Sequence, residues 1–139
     1  MDLSELIQKA QEAKEKAYVP YSGFHVGAAL LCKDGTIFTG CNIENAAYGP
    51  TNCAERTAIF KAVSEGYREF QVIAIISDSK ELTSPCGVCR QVMAEFCEPD
   101  FEVIMLSCDG KYKAVTLEEL LPYAFSLTEE QLATAPELS

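Results

Sequence analysis

The chain is predicted to fold as an α/β protein, a three-layer α/β/α sandwich with helices on both faces of a mixed sheet of about five strands. Three observations carry this. Segments of helical periodicity alternate with β-type runs, two Asp-Gly pairs lie between such runs, and the run from Phe70 to Ser77 is apolar almost throughout, as in a strand covered on both faces. A chain of 139 residues that is 48% hydrophobic can bury one substantial core and is too short for two ordinary domains. Residues 1–139 are therefore expected to form a single domain.

In chain order, residues 2–17 space Leu3, Leu6, Ile7, Ala10, Ala13 and Ala17 three or four apart, an amphipathic helix that Pro20 terminates. Phe24 to Cys32 and Thr36 to Asn42 are β-type runs joined at Lys33-Asp34-Gly35, where Asp-Gly supplies the positive φ of a tight hairpin. Residues 52–65 return to helical spacing and stop at Gly66. Phe70 to Ser77 is expected at the centre of the sheet. Pro85 precedes a helix over Cys86 to Cys97. Phe101 to Ser107 and Lys111 to Val115 then form strands around Asp109-Gly110, and a short helix covers Leu117 to Leu121. The polar tail after Ser126 is expected to fray.

Charge and cysteine usage narrow the class. Twenty-one acids against eleven bases give a formal charge of -10, with no Lys/Arg stripe to relieve it, so a nucleic-acid partner is disfavoured. The first residues contain no apolar core of an export signal, and no apolar run reaches the roughly 18 residues that span a bilayer. A cytoplasmic protein without a membrane partner is expected. Seven cysteines, an odd number, in a chain read as cytoplasmic point to metal ligation or burial rather than disulfides.

The strongest local signal is Pro85-Cys86-Gly87-Val88-Cys89, because two cysteines three apart at a helix start can turn both sulfurs toward one tetrahedral ion. By itself this spacing also suits a redox dithiol or half of a structural zinc ribbon. The third candidate ligand is Cys53, 33 positions upstream at another predicted helix start, Asn52-Cys53-Ala54-Glu55-Arg56. Three protein ligands leave a fourth position for water, whose pKa zinc lowers toward about 7. Glu55, two residues past Cys53, is placed to handle that water's proton without being a ligand. Three thiolates on one divalent ion leave about one negative charge. Two helix N-termini and the guanidinium of Arg56, hydrogen-bonded to the sulfurs, are expected to offset it.

The order C-A-E … P-C-G-V-C resembles the signature of zinc nucleobase deaminases, with cysteine as first ligand. Phe24-His25-Val26-Gly27-Ala28-Ala29, Gly40-Cys41-Asn42-Ile43-Glu44-Asn45-Ala46, Cys53-Ala54-Glu55-Arg56, Pro85-Cys86-Gly87-Val88-Cys89-Arg90-Gln91 and Leu120-Leu121-Pro122-Tyr123-Ala124-Phe125 resemble, in order, motifs of the small homotetrameric cytidine deaminases. The likeness runs from about Leu6 to Phe125. It implies an α/β/α sandwich, one zinc per subunit, and hydrolytic deamination of cytidine and deoxycytidine to uridine and deoxyuridine with release of ammonia, a pyrimidine-salvage reaction. It further implies that Asn42 and Glu44 grip the ribose hydroxyls, that Phe24 packs on the pyrimidine, and that backbone near Ala46 and the N–H of Ala54 read the base edge. Phe125 is implied to enter the site of a neighbouring subunit in a homotetramer. Read from the residues alone, Asn42 and Glu44 also suit loop capping, and Phe24 and Phe125 suit a core.

Cys32, Cys41, Cys97 and Cys108 match no ligand position and are expected to be buried, inert thiols; His25 is expected to be structural. One rival is a deaminase of another cytosine compound such as the antibiotic blasticidin S. A second is a structural zinc module, which needs a fourth protein ligand from Cys41 or Cys97 and leaves Glu55 without a role.

Overall fold

The computed structural model describes residues 3–127. The elements run α1 (Leu3–Lys14), β1 (Val26–Cys32), β2 (Ile37–Cys41), α2 (Ala54–Ser64), β3 (Phe70–Ser77), α3 (Gly87–Phe96), β4 (Glu102–Leu106), β5 (Tyr112–Thr116) and α4 (Leu117–Leu120). One sheet of order β2-β1-β3-β4-β5 holds all five strands, with β3 at its centre. The β3–β4 pair is parallel and the other three are antiparallel, so the sheet is mixed as expected. The tail expected to fray lies, beyond Leu127, outside the described residues.

The period of two along each strand separates two apolar layers. Ala28, Leu30, Ile73, Ile75, Val103 and Met105 face α2 and α3. Ala29, Leu31, Val72, Ala74, Ile76 and Ile104 face Leu6 and Ala10 of α1. Helices thus cover both faces, and two glycines let them approach. A Cβ on Gly27 would stand 2.5 Å from the Lys14 amide nitrogen, and one on Gly40 2.5 Å from that of Ala58, both closer than real contacts allow. Gly40 thereby seats the first turns of α2 directly on the sheet.

Several boundaries differ from the sequence reading. Helix α1 ends at Lys14, six residues before Pro20, in a turn where Lys16 N–H donates to Ala13 O and Ala17 N–H to Lys14 O. Strand β1 begins at Val26 rather than Phe24. Three successive amides here donate to side chains: Phe24 N to Ser22 Oγ (3.0 Å), His25 N to Asp78 Oδ2 (2.8 Å) and Val26 N to Asn42 Oδ1 (2.9 Å). With its donors taken in this way, the 22–25 stretch has no ladder to join. Cys53 and Cys86 are N-caps rather than helical residues. Of the four cysteines expected to be buried, Cys32 is, Cys41 and Cys97 are half-buried, and Cys108 is exposed beside the Asp109-Gly110 turn.

Asp78, just beyond β3, joins three elements: its carboxylate accepts from His25 N and the His25 ring and pairs with Lys14 Nζ at 3.2 Å. The His25 amide, with help from the ring and Lys14, holds this carboxyl down to about 2. A depressed carboxyl contributes stability above its unfolded pKa and loses it as the pH falls toward the folded value. Asp78→Asn is expected to lower the melting temperature by a few degrees near pH 5. The gap to the parent should narrow as the pH falls below 3.8 toward 2. Thermal melts at pH 5, 4 and 3 check this, and a constant gap would contradict it.

Candidate metal centre and its cavity

Two helices start at the same place. Cys53 caps α2 and Cys86 caps α3, both with extended backbone and neither using its side chain to cap an amide. The sulfurs are left free to point outward in front of two helix N-termini, whose partial positive charge favours thiolate. In α3 the N-cap and the third helical residue lie close in space, so the C-x-x-C spacing brings Cys86 Sγ to 3.5 Å from Cys89 Sγ. Across the helices Cys53 Sγ lies 3.8 Å from Cys86 Sγ, and all three sulfurs lie within 4.8 Å of one another. A tetrahedral ion with Zn–S bonds of about 2.3 Å needs sulfur–sulfur edges of about 3.8 Å, so the donor set fits zinc in number, chemistry and spacing. Among the described residues no fourth His, Cys, Asp or Glu joins this group.

The electrostatics of the cluster also call for a cation. The thiol of Cys89 and the guanidinium of Arg56 pull Cys53 down to about 5, whereas the Cys53 thiolate and burial push Cys89 well up. Three sulfurs this close cannot all ionise without a positive charge between them. Arg56 repeats the N-cap-to-third-residue spacing on α2 and donates from Nη2 to Cys53 Sγ at 3.2 Å. Its Nε is buried with no hydrogen-bond partner among the described residues. Glu55 is 4% exposed, and burial pushes its carboxyl up to about 7, the thiolate of Cys53 adding to the effect.

Cys53, Cys86 and Glu55 open onto a cavity of about 230 Å³ also lined by Phe24, Asn42, Glu44 and Ala54. The sequence-selected residues are thus brought together, with two exceptions. Ala46 lies exposed in the loop between Glu44 and Thr51 and does not line the cavity, and neither does Phe125, which is 64% exposed. The rim is fixed by backbone. Ile43 bridges Tyr18 on one side and Asn52 on the other. Asn42 accepts from Val26 N and donates to Phe24 O, both at 2.9 Å, so it braces the segment that carries Phe24. Glu44 accepts from Tyr21 N, Ser22 N and the Ser22 hydroxyl, and this hydroxyl bond chiefly lowers its pKa. The loop-capping roles weighed from sequence are therefore filled, yet each side chain keeps capacity. Asn42 Nδ2 has a second hydrogen and the Glu44 carboxylate has unused lone pairs.

Sequence reasoning missed the residues that hold this rim, Ser22, Thr57, Asp78 and Arg90, and also Gln91, whose Nε2 donates to Phe125 O at 2.9 Å. Thr57 donates to Cys41 O and accepts from Asn52 Nδ2, both at 3.0 Å, so it locks the start of α2 to the end of β2. Arg90 and Gln91 stood inside a recognised motif, but nothing in the sequence says which distant carbonyls they reach.

Residues 1–105 match the family model described as the cytidine and deoxycytidylate deaminase zinc-binding region. A cytidine deaminase of Sporosarcina psychrophila is 54% identical over 137 residues, 99% of this chain and 99% of that protein. One from Halalkalibacterium halodurans is 56% identical over 126 residues, covering 91% and 96%. Among solved structures, the cytidine deaminase of Burkholderia pseudomallei superposes with a TM-score of 0.87 at 50% identity, covering 90% of this chain and all of that one. The expected α/β architecture and the zinc-binding assignment both agree with these likenesses.

Proposed function

The chain belongs to the cytidine deaminase family, and from that premise we propose that it hydrolyses the 4-amino group of cytidine and deoxycytidine, releasing ammonia and leaving uridine and deoxyuridine. The observation that carries the reading is the cluster of three cysteine sulfurs, two of which, Cys53 and Cys86, open with the buried carboxyl of Glu55 onto one cavity. Cys53, Cys86 and Cys89 hold one Zn2+ per subunit. When bound, the ion would supply a Lewis acid that acidifies water and stabilises negative charge on the oxygen that attacks the ring carbon.

The chain's own residues do the rest. Glu55, in the first turn of α2 behind Cys53, takes a proton from the attacking water and delivers it to N3 of the ring. It then carries a second proton to the departing amino group. A carboxyl whose pKa burial has raised toward neutrality is suited to both directions of transfer. Phe24 packs on the pyrimidine. The Ala54 N–H, at the positive end of α2, reads the base edge, together with backbone near Ala46. The spare Nδ2 hydrogen of Asn42 and the spare lone pairs of Glu44 take the ribose hydroxyls. Arg56 draws charge from Cys53 and so preserves the acidity that three thiolates would otherwise quench.

The chain is proposed to work as a cytoplasmic homotetramer in pyrimidine salvage, with Phe125 completing a neighbouring site. Its exposed ring, outside the cavity of its own chain, and the exposed Tyr21 and Tyr48 near the rim support this. Among the described residues no helix is long and apolar enough to cross a membrane. A formal charge of -10 argues against phosphate-bearing polymers as substrates.

The test is ammonia release from cytidine, deoxycytidine, cytidine monophosphate and blasticidin S by zinc-assayed protein over a range of dilutions. Release from the two nucleosides alone, with activity per subunit falling as the assembly dissociates, is expected. Silence on both nucleosides at one zinc per chain, or turnover of blasticidin S only, would overturn the reading.

A further inference from the structure

The three sulfurs are not held equally. Cys89 is fully buried within α3, and Cys53 is half-buried and bonded to Arg56. Cys86 is exposed, at the end of a loop, so packing of its own side chain does not fix where its sulfur lies; the backbone that carries it is held by the buried Pro85 before it and by Arg90. The Arg90 Nε donates to Pro85 O at 2.8 Å, its Nη2 to Ser84 Oγ at 2.7 Å and its Nη1 to Leu120 O at 2.8 Å. The first two bonds grip the two residues that lead into Cys86. The third reaches the last residue of α4, whose carbonyl has no partner within that helix. Among the described residues no carboxylate forms an ion pair with Arg90, so the guanidinium is committed to these three oxygens.

We propose that Arg90 is a positioning residue that braces the loop carrying the exposed ligand Cys86 against the end of α4, and that zinc affinity depends on this brace. The Pro85 carbonyl belongs to the peptide plane that runs to the Cys86 Cα, so holding it constrains where the Cys86 side chain leaves the backbone. A planar fork spans three acceptors on two segments at once. A lysine ammonium keeps the charge but cannot span them, and a glutamine reaches one at most. The inference rests on the reading that Cys53, Cys86 and Cys89 hold zinc.

The experiment measures the zinc dissociation constant of the full chain, Arg90→Gln and Arg90→Lys by competition with a chromophoric chelator. Melting temperatures are recorded with and without zinc. The constant is expected to rise at least about tenfold in Arg90→Gln, the scale of losing a group that orients a metal ligand, and by less in Arg90→Lys. The zinc-induced rise in melting temperature should shrink in the same order. A purely structural role would lower the melting temperature equally with and without zinc and leave the constant within twofold; that result overturns the brace. If Arg90→Gln does not fold, Arg90→Lys decides alone, since unchanged affinity there excludes a requirement for the fork. A parent chain that takes up no zinc would overturn the underlying reading and the brace with it.

Discussion

Glu55→Gln is expected to keep its zinc and its fold while losing turnover by about 10²–10⁴-fold, the range that a positioned general acid–base supplies. Glutamine has nearly the shape of glutamate and leaves the N-cap of α2 and the three sulfurs untouched. It cannot take up or release a proton near neutral pH. Burial raises the native carboxyl to about 7, so an uncharged amide costs little in the same place, and stability should be unchanged or slightly higher. The measurement is kcat/KM for cytidine with zinc assayed in the same preparation. Full zinc with turnover within tenfold of the parent would remove Glu55 from the proton path.

What the sequence disclosed and what it hid divide along a physical line. The ligands were legible because each sits where local geometry is strongest. Cys86 and Cys89 have the spacing that brings an N-cap beside the third helical residue, and Pro85 marks the start. The two hairpins and the central place of β3 were legible in the two Asp-Gly turns and the apolar run. The braces were not, because each joins segments far apart in the chain. Ser22 meets Glu44 across 22 positions, Arg90 meets Leu120 across 30, and His25 meets Asp78 across 53. The same contacts explain the misplaced start of β1. A β-type run at Phe24-His25 is overridden when Ser22 and Asp78 take the amides that a ladder would need. Cys108 was misjudged for the opposite reason, since the turn that follows β4 carries it into solvent whatever its intrinsic preference for burial.

Cys86→Ser is the substitution with the widest expected effect, because it removes a ligand rather than a proton carrier. A serine hydroxyl is a hard, neutral donor that does not replace thiolate on zinc, and two sulfurs cannot hold the ion in a three-ligand site. Zinc should fall well below one per chain and deamination by more than about 10³-fold, as expected when the metal's own contribution is lost with that of the water it activates. Since binding of the ion stabilises the folded state, the variant should melt where the chelator-stripped parent melts, and added zinc should raise the parent but not the variant. Arg56→Gln provides the contrast. It leaves three sulfurs in place but removes the donor 3.2 Å from Cys53, so it should weaken zinc only about 10–100-fold and remain rescuable by excess zinc. The two variants separate loss of a ligand from loss of the charge that tunes it. If Cys86→Ser still bound one zinc per chain at the parent's affinity, the ligand set would have to be redrawn around another donor near Cys53 and Cys89.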